Sequence, residues 1–163
     1  MPHMHWCGQE EDYNFIVMEE LSKNFRELLN RCDGKFSLKS SLMFGIEAIS
    51  ILQYYHFKNF LHCQLRPEHF MIGSGSKCMK IYLIDFSSSI RYRESQTLEH
   101  ISENSKNTSE RYTNMEFSSE NFHLGNTPSR KDDIISLLYL LAYFQKGELP
   151  WSKYLKDPKL SEK

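Results

Sequence analysis

The 163-residue chain is 40% hydrophobic, 13% aromatic and 25% charged, which sets it apart from disordered, collagenous and coiled-coil sequences. Its 20 lysines and arginines nearly balance 21 aspartates and glutamates, with 9 against 10 over residues 1–90 and 11 against 11 over residues 91–163. Neither half has the net field that gathers nucleic acid or an anionic membrane, and the longest apolar run, Ile134 to Phe144, is too short for a membrane span.

The length predicts one domain with a core of its own. Met1 is followed by Pro, His and acidic residues, which does not read as a signal peptide. Cys7, Cys32, Cys63 and Cys78 contain no CxxC pair, so they read as reduced thiols of an intracellular protein, in cytoplasm or nucleus.

In chain order, Tyr13 to Met18 reads as a short strand flanked by acidic residues. Leu21 to Cys32 has helical spacing and stops at Asp33-Gly34. Ser37 opens a longer helical pattern through Tyr55, with Leu38, Leu42, Ile46, Ile49 and Leu52 at three- to four-residue intervals. Its charges are few, so packing on more than one side is expected. Pro67 makes Leu61 to Phe70 a loop with extended pieces, Gly73-Ser-Gly75-Ser is a turn, and Met79 to Ile84 reads as a strand. Residues 91–110 lack periodicity and read as a mobile surface segment. Ser129-Arg-Lys-Asp132 forms a capping-box pattern with Asp in place of Glu. It leads into Asp133 to Phe144, predicted to be the buried central helix, with Gly147 as its stop.

Two phrases carry a resemblance. His62-Cys-Gln-Leu-Arg-Pro-Glu-His69-Phe70 is followed, fourteen residues on, by Ile84-Asp85-Phe86-Ser87. The pair is similar to the catalytic loop and magnesium loop of protein kinases, H-R-D-x-K-x-x-N and D-F-G. His5-Trp6-Cys-Gly-Gln-Glu, Val17-Met-Glu19, Lys35-Phe-Ser-Leu38, Ser129-Arg-Lys-Asp-Asp133 and Gly147-Glu-Leu-Pro-Trp151 resemble the casein kinase 1 family.

The resemblance implies an α+β, kinase-like fold: residues 1–20 as the end of an N-terminal lobe and hinge, and residues 21–163 as an incomplete, mostly helical C-terminal lobe. No kinase Gly-rich loop or strand lysine precedes these phrases, so a fragment of a kinase domain is expected. ATP and magnesium are the implied cofactors, bound weakly, and protein substrates or partners the implied ligands.

Residue by residue, Gln64 takes the place of the kinase catalytic aspartate, and a carboxamide cannot accept a proton near neutral pH. Arg66 matches the lysine that steadies the transferred phosphoryl group. His69 matches the magnesium asparagine, although imidazole is a poor ligand for a hard cation. Asp85 matches the magnesium aspartate, with Ser87 in place of glycine; it also reads as an ordinary turn aspartate. Met18, Glu19 and Leu21 match the gatekeeper and hinge, and Met71 and Ile84 the apolar floor under adenine. His62 is implied to pack structurally, and Asp133 to tether the catalytic-loop backbone or simply cap its helix. Arg111 resembles a substrate-side arginine that binds anions. His3-x-His5-x-Cys7 has donors for zinc but no evident fourth ligand. Expected functions are therefore an inactive, pseudokinase-like domain, an active Ser/Thr kinase, or a protein-interaction module presenting residues 91–126.

Overall fold

The structure, a computed structural model, describes residues 1–101 and 116–156. The chain opens with an antiparallel hairpin of β1 (Met4–Glu10) and β2 (Tyr13–Met18), with Glu10 opposite Tyr13. The tight turn between them places Glu11 at φ +50°. The Trp6 indole lies over Gly8, where a Cβ would fall 2.4 Å from it, so a side chain there would push the exposed indole aside. All six residues of β2 are exposed, including Phe15, Ile16 and Val17.

The segment predicted as a helix from Leu21 is shorter than its spacing implies. Leu21–Asn24 is a strand, β3, and the helix α1 covers only Phe25–Arg31. Two forces decide this: β3 pairs with a distant strand, and Asn24 caps the helix. The Asn24 side chain accepts from the Glu27 N–H at 2.9 Å and donates to the Glu27 carboxylate at 2.9 Å. Gly34, at φ +77°, returns its N–H to the Leu29 carbonyl and ends the helix.

Helix α2 (Leu38–Phe57) starts at Ser37, whose hydroxyl accepts from the Ser40 N–H. Contrary to the expectation of packing on several sides, it buries one face, formed by Ser41, Phe44, Gly45, Ala48, Leu52, Tyr55 and His56. Leu38, Leu42, Ile46 and Ile49 are all more than half exposed. The apolar spacing is helical, but the buried stripe is the one set by the small residues Gly45 and Ala48, which admit helix α4 (Arg130–Lys146) closely. A Cβ on Gly45 would stand 3.3 Å from Leu141.

After α2 come β4 (Phe60–Leu61), a single 3-10 turn at Pro67–His69, β5 (Phe70–Gly73), a second such turn at Gly75–Lys77, β6 (Ile81–Leu83) and β7 (Ile90–Arg91). The three-stranded sheet runs β3-β5-β6 and the small pair β4-β7 stands beside it, all antiparallel. The stretch expected to be mobile from residue 91 is built in its described part: β7, then a bridge between Arg93 and His100.

Helix α4 is capped as its sequence pattern predicts, with the Ser129 N–H donating to the Asp132 carboxylate at 2.7 Å. Asp132 is fully buried because the Ser119 hydroxyl (2.6 Å) and the Asn121 amide (3.2 Å) also donate to it. Short helices α3 (Glu120–His123) and α5 (Ser152–Lys156) flank it, and Gly147 closes it at φ +84°. Leu137, Leu140 and Phe144 are buried, whereas Leu138 is exposed, so α4 is central without being enclosed. The Phe44 ring joins the core, with centroids 4.6, 4.9 and 5.0 Å from those of Phe25, Phe70 and Phe144. Each such buried aromatic contributes roughly 1.5–3 kcal/mol from area alone. The fold is mixed α+β, and no described helix is long and apolar enough to cross a membrane.

Candidate functional site

Strands β5 and β6 bring the two motif loops together. Phe70 pairs with Leu83, both fully buried, so residue 69 and residue 84 leave the sheet side by side. The Ile84 N–H donates to the His69 carbonyl at 2.9 Å, which extends the ladder one step beyond the strands. Pinned in this way, the His69 and Asp85 side chains meet although sixteen residues separate them. Cys63 (φ +64°) and Asp85 (φ +59°) are in the left-handed region that residues with a Cβ avoid, one in each loop.

Behind the loops lies Asp133, 1% exposed, at the start of α4. One carboxylate oxygen accepts from the His56 imidazole at 2.8 Å and from the His62 N–H at 2.9 Å; the other accepts from the Cys63 N–H at 2.9 Å. A helix-cap role alone would leave these backbone donors unpaired in the interior. His62 is fully buried, donates through Nε2 to the Ile84 carbonyl at 3.1 Å and leaves Nδ1 without a hydrogen-bond partner. Burial holds its pKa below the ordinary 6.5, against the pull of Asp133.

At the front, Asp85 is 41% exposed on its side chain and already engaged at both oxygens. The Ser87 hydroxyl donates to Oδ1 at 2.6 Å and the Ser87 N–H at 3.2 Å, while His69 Nε2 stands 3.1 Å from Oδ2. The Ser87 hydroxyl is the first cause of the lowered Asp85 pKa. His69 Nδ1 lies 2.8 Å from the Gln64 carbonyl, so both ring nitrogens face acceptors and a neutral ring donates to one of them at a time. Burial lowers the His69 pKa and outweighs the attraction of Asp85. The Gln64 carboxamide oxygen accepts from the Ser88 hydroxyl at 3.1 Å.

Arg66 has its Nε 3.5 Å from Glu68, within Coulombic reach but outside hydrogen-bond geometry. The stronger partner of Glu68 is Arg26 on α1, at 2.7 Å, and Arg26 also contacts the Tyr143 hydroxyl. This cross-link fixes the turn that presents His69.

The hinge positions lie where β2 passes into β3. The Glu19 N–H donates to the His3 carbonyl at 2.8 Å, and the Glu19 carboxylate pairs with Lys77, which is the main reason its pKa is lowered. Leu21 stands opposite Gly73 and Met71 opposite Tyr82 in the sheet. Met18 is exposed at the end of the hairpin and Ile84 is half-buried. A cleft of about 770 Å3 opens on the other side of Glu19, lined in part by His3, Glu47, Ile81 and Tyr82. Arg111 lies outside the described residues.

The donor set suits magnesium poorly. One position offers imidazole nitrogen, the sole carboxylate is bonded to His69 and Ser87, and three or more metal-ligating side chains are nowhere grouped among the described residues. Of the positions that the resemblance matches to a hinge, Glu19 has its N–H committed to the His3 carbonyl. His56, Ser88 and the Arg26–Glu68 pair escape sequence reading because their partners lie 24 to 77 residues away. No family model matches the chain.

Proposed function

We propose that this is a casein kinase 1-like protein kinase domain without phosphotransfer, which works by binding a protein partner. The observation that carries the reading is the closed Asp85 carboxylate, held by His69 and Ser87 at the position the resemblance assigns to magnesium. Gln64 adds to it: its carboxamide is bonded to Ser88 and has no basic site for the proton of an attacking hydroxyl. The Asp133 tether supports the same assignment from the other side, since it holds the His62–Gln64 loop as a kinase would need it while the groups that do chemistry are changed.

Incubation of the purified chain with radiolabelled ATP, magnesium and a mixed protein substrate is the test. Label is expected to stay at background in the native chain and in Asp85→Ala alike. Strong incorporation abolished by Asp85→Ala would establish the active-kinase reading instead. Adenine binding at Met18, Glu19, Leu21, Met71 and Ile84 is expected to be weak, and calorimetric titration with ATP should give the same affinity with and without magnesium.

A further inference from the structure

A second pocket lies away from the motif loops, between α3, α4 and α5. It measures about 330 Å3, at the lower end of small-ligand sites, and three of its walls are aromatic: Tyr139, Trp151 and Tyr154. The Tyr139 and Trp151 rings meet at 70° with centroids 4.9 Å apart, so they form two adjoining walls. Both are fixed in place. Tyr139 belongs to α4, and the Trp151 indole N–H donates to the Glu116 carbonyl at 2.7 Å. The next residue reinforces this, as the Ser152 hydroxyl donates to the Glu116 carboxylate at 2.6 Å and accepts from the Leu149 N–H at 3.0 Å. Tyr154 and Leu155, both nearly half exposed, close the outer side, and Glu120 and His123 stand at the rim.

The charge distribution selects the occupant. Aromatic faces carry negative potential and attract cations, most strongly where water is excluded. The wall already does so on a small scale, with the Lys153 ammonium 5.0 Å from the centre of the Tyr154 ring. Among the described residues, Glu120 is the one anionic side chain lining the pocket, and it forms no ion pair with any of them. A neutral apolar group would fill the space and leave both features unused. A primary ammonium would lose hydration that ring carbons cannot replace, because its three donors each need an acceptor. An alkylated ammonium carries the charge without that demand.

We propose that this pocket is an aromatic cage for a methylated lysine side chain presented by a partner polypeptide, with Tyr139, Trp151 and Tyr154 as walls and Glu120 as the counter-charge. The probes are N-acetyl-trimethyl-lysine methylamide, its unmethylated parent, and the neutral isostere with carbon in place of the quaternary nitrogen. The readout is Trp151 fluorescence in a Trp6→Phe background, which removes the other indole. The trimethylated probe is expected to bind about tenfold tighter than the isostere, equivalent to about 1.4 kcal/mol. Tyr154→Ala and Glu120→Gln should each weaken it several-fold at unchanged circular dichroism, and Tyr154→Phe should retain it. Equal binding of the isostere would reduce the pocket to a plain apolar site and overturn the proposal. So would the absence of any response up to about 10 mM probe, an affinity weaker than about 3 kcal/mol.

Discussion

Two aspartates, Asp133 and Asp85, hold the two faces of the same loop pair in opposite ways. Asp133 is buried and bound by two backbone N–H groups and one imidazole. Asp85 is substantially exposed and bound mainly by two side chains, those of His69 and Ser87. Backbone donors are present whatever the residue, so the Asp133 arrangement survives substitutions in the loop it holds. The Asp85 arrangement depends on His69 and Ser87 individually. The architecture of the site and its chemistry are thus separable in this chain, and each half of the comparison can be broken alone.

The largest effect is expected from Asp133→Ala, which orphans the His62 and Cys63 N–H groups in the interior. It should cost about 3–5 kcal/mol, read as a fall in the urea midpoint at constant slope. A loss under about 1 kcal/mol would show that the tether is dispensable.

A pH series is second. The folded-state pKa values of His62 and His69 are both lowered from 6.5 by burial. Below that value the unfolded chain binds the extra protons, so stability should be fully present above it and fall as acid is added, until the folded-state values are passed. Urea midpoints from about pH 7.5 to about pH 5 check this, and a flat profile contradicts it.

Third, the combined variant Gln64→Asp, His69→Asn and Ser87→Gly frees Asp85 and restores oxygen ligands. ATP should then bind about tenfold tighter with magnesium than without, a gain of about 1.4 kcal/mol. Unchanged calorimetric titrations would place the defect elsewhere. The smallest effect is that of Asp85→Ala on stability, about 1 kcal/mol or less because the Asp85 carboxylate is substantially exposed to solvent, seen as a small midpoint shift.

What the sequence makes legible follows from distance along the chain. The box at Ser129 and Asp132, the stop at Gly147 and the start at Ser37 are local, and each reads correctly. Leu21–Asn24 reads as helix because its competitor, pairing with β5, lies some fifty residues on. The face α2 buries is illegible for a different reason: apolar residues stand on both of its sides, and only the close approach of α4 at Gly45 chooses between them. The closure of Asp85 by His69 is invisible until the register of Phe70 with Leu83 is known.

None of the four cysteines is in a disulfide, and they differ sharply in reach: Cys7, Cys32 and Cys78 are exposed, and Cys63 is buried with its N–H latched to Asp133. The chain therefore carries its own clock. In excess alkylating reagent the three exposed thiols should be modified first, and the fourth only as often as the latch springs open. The lag of that last modification measures the opening free energy of the loop in the intact molecule, without denaturant and without a label introduced from outside.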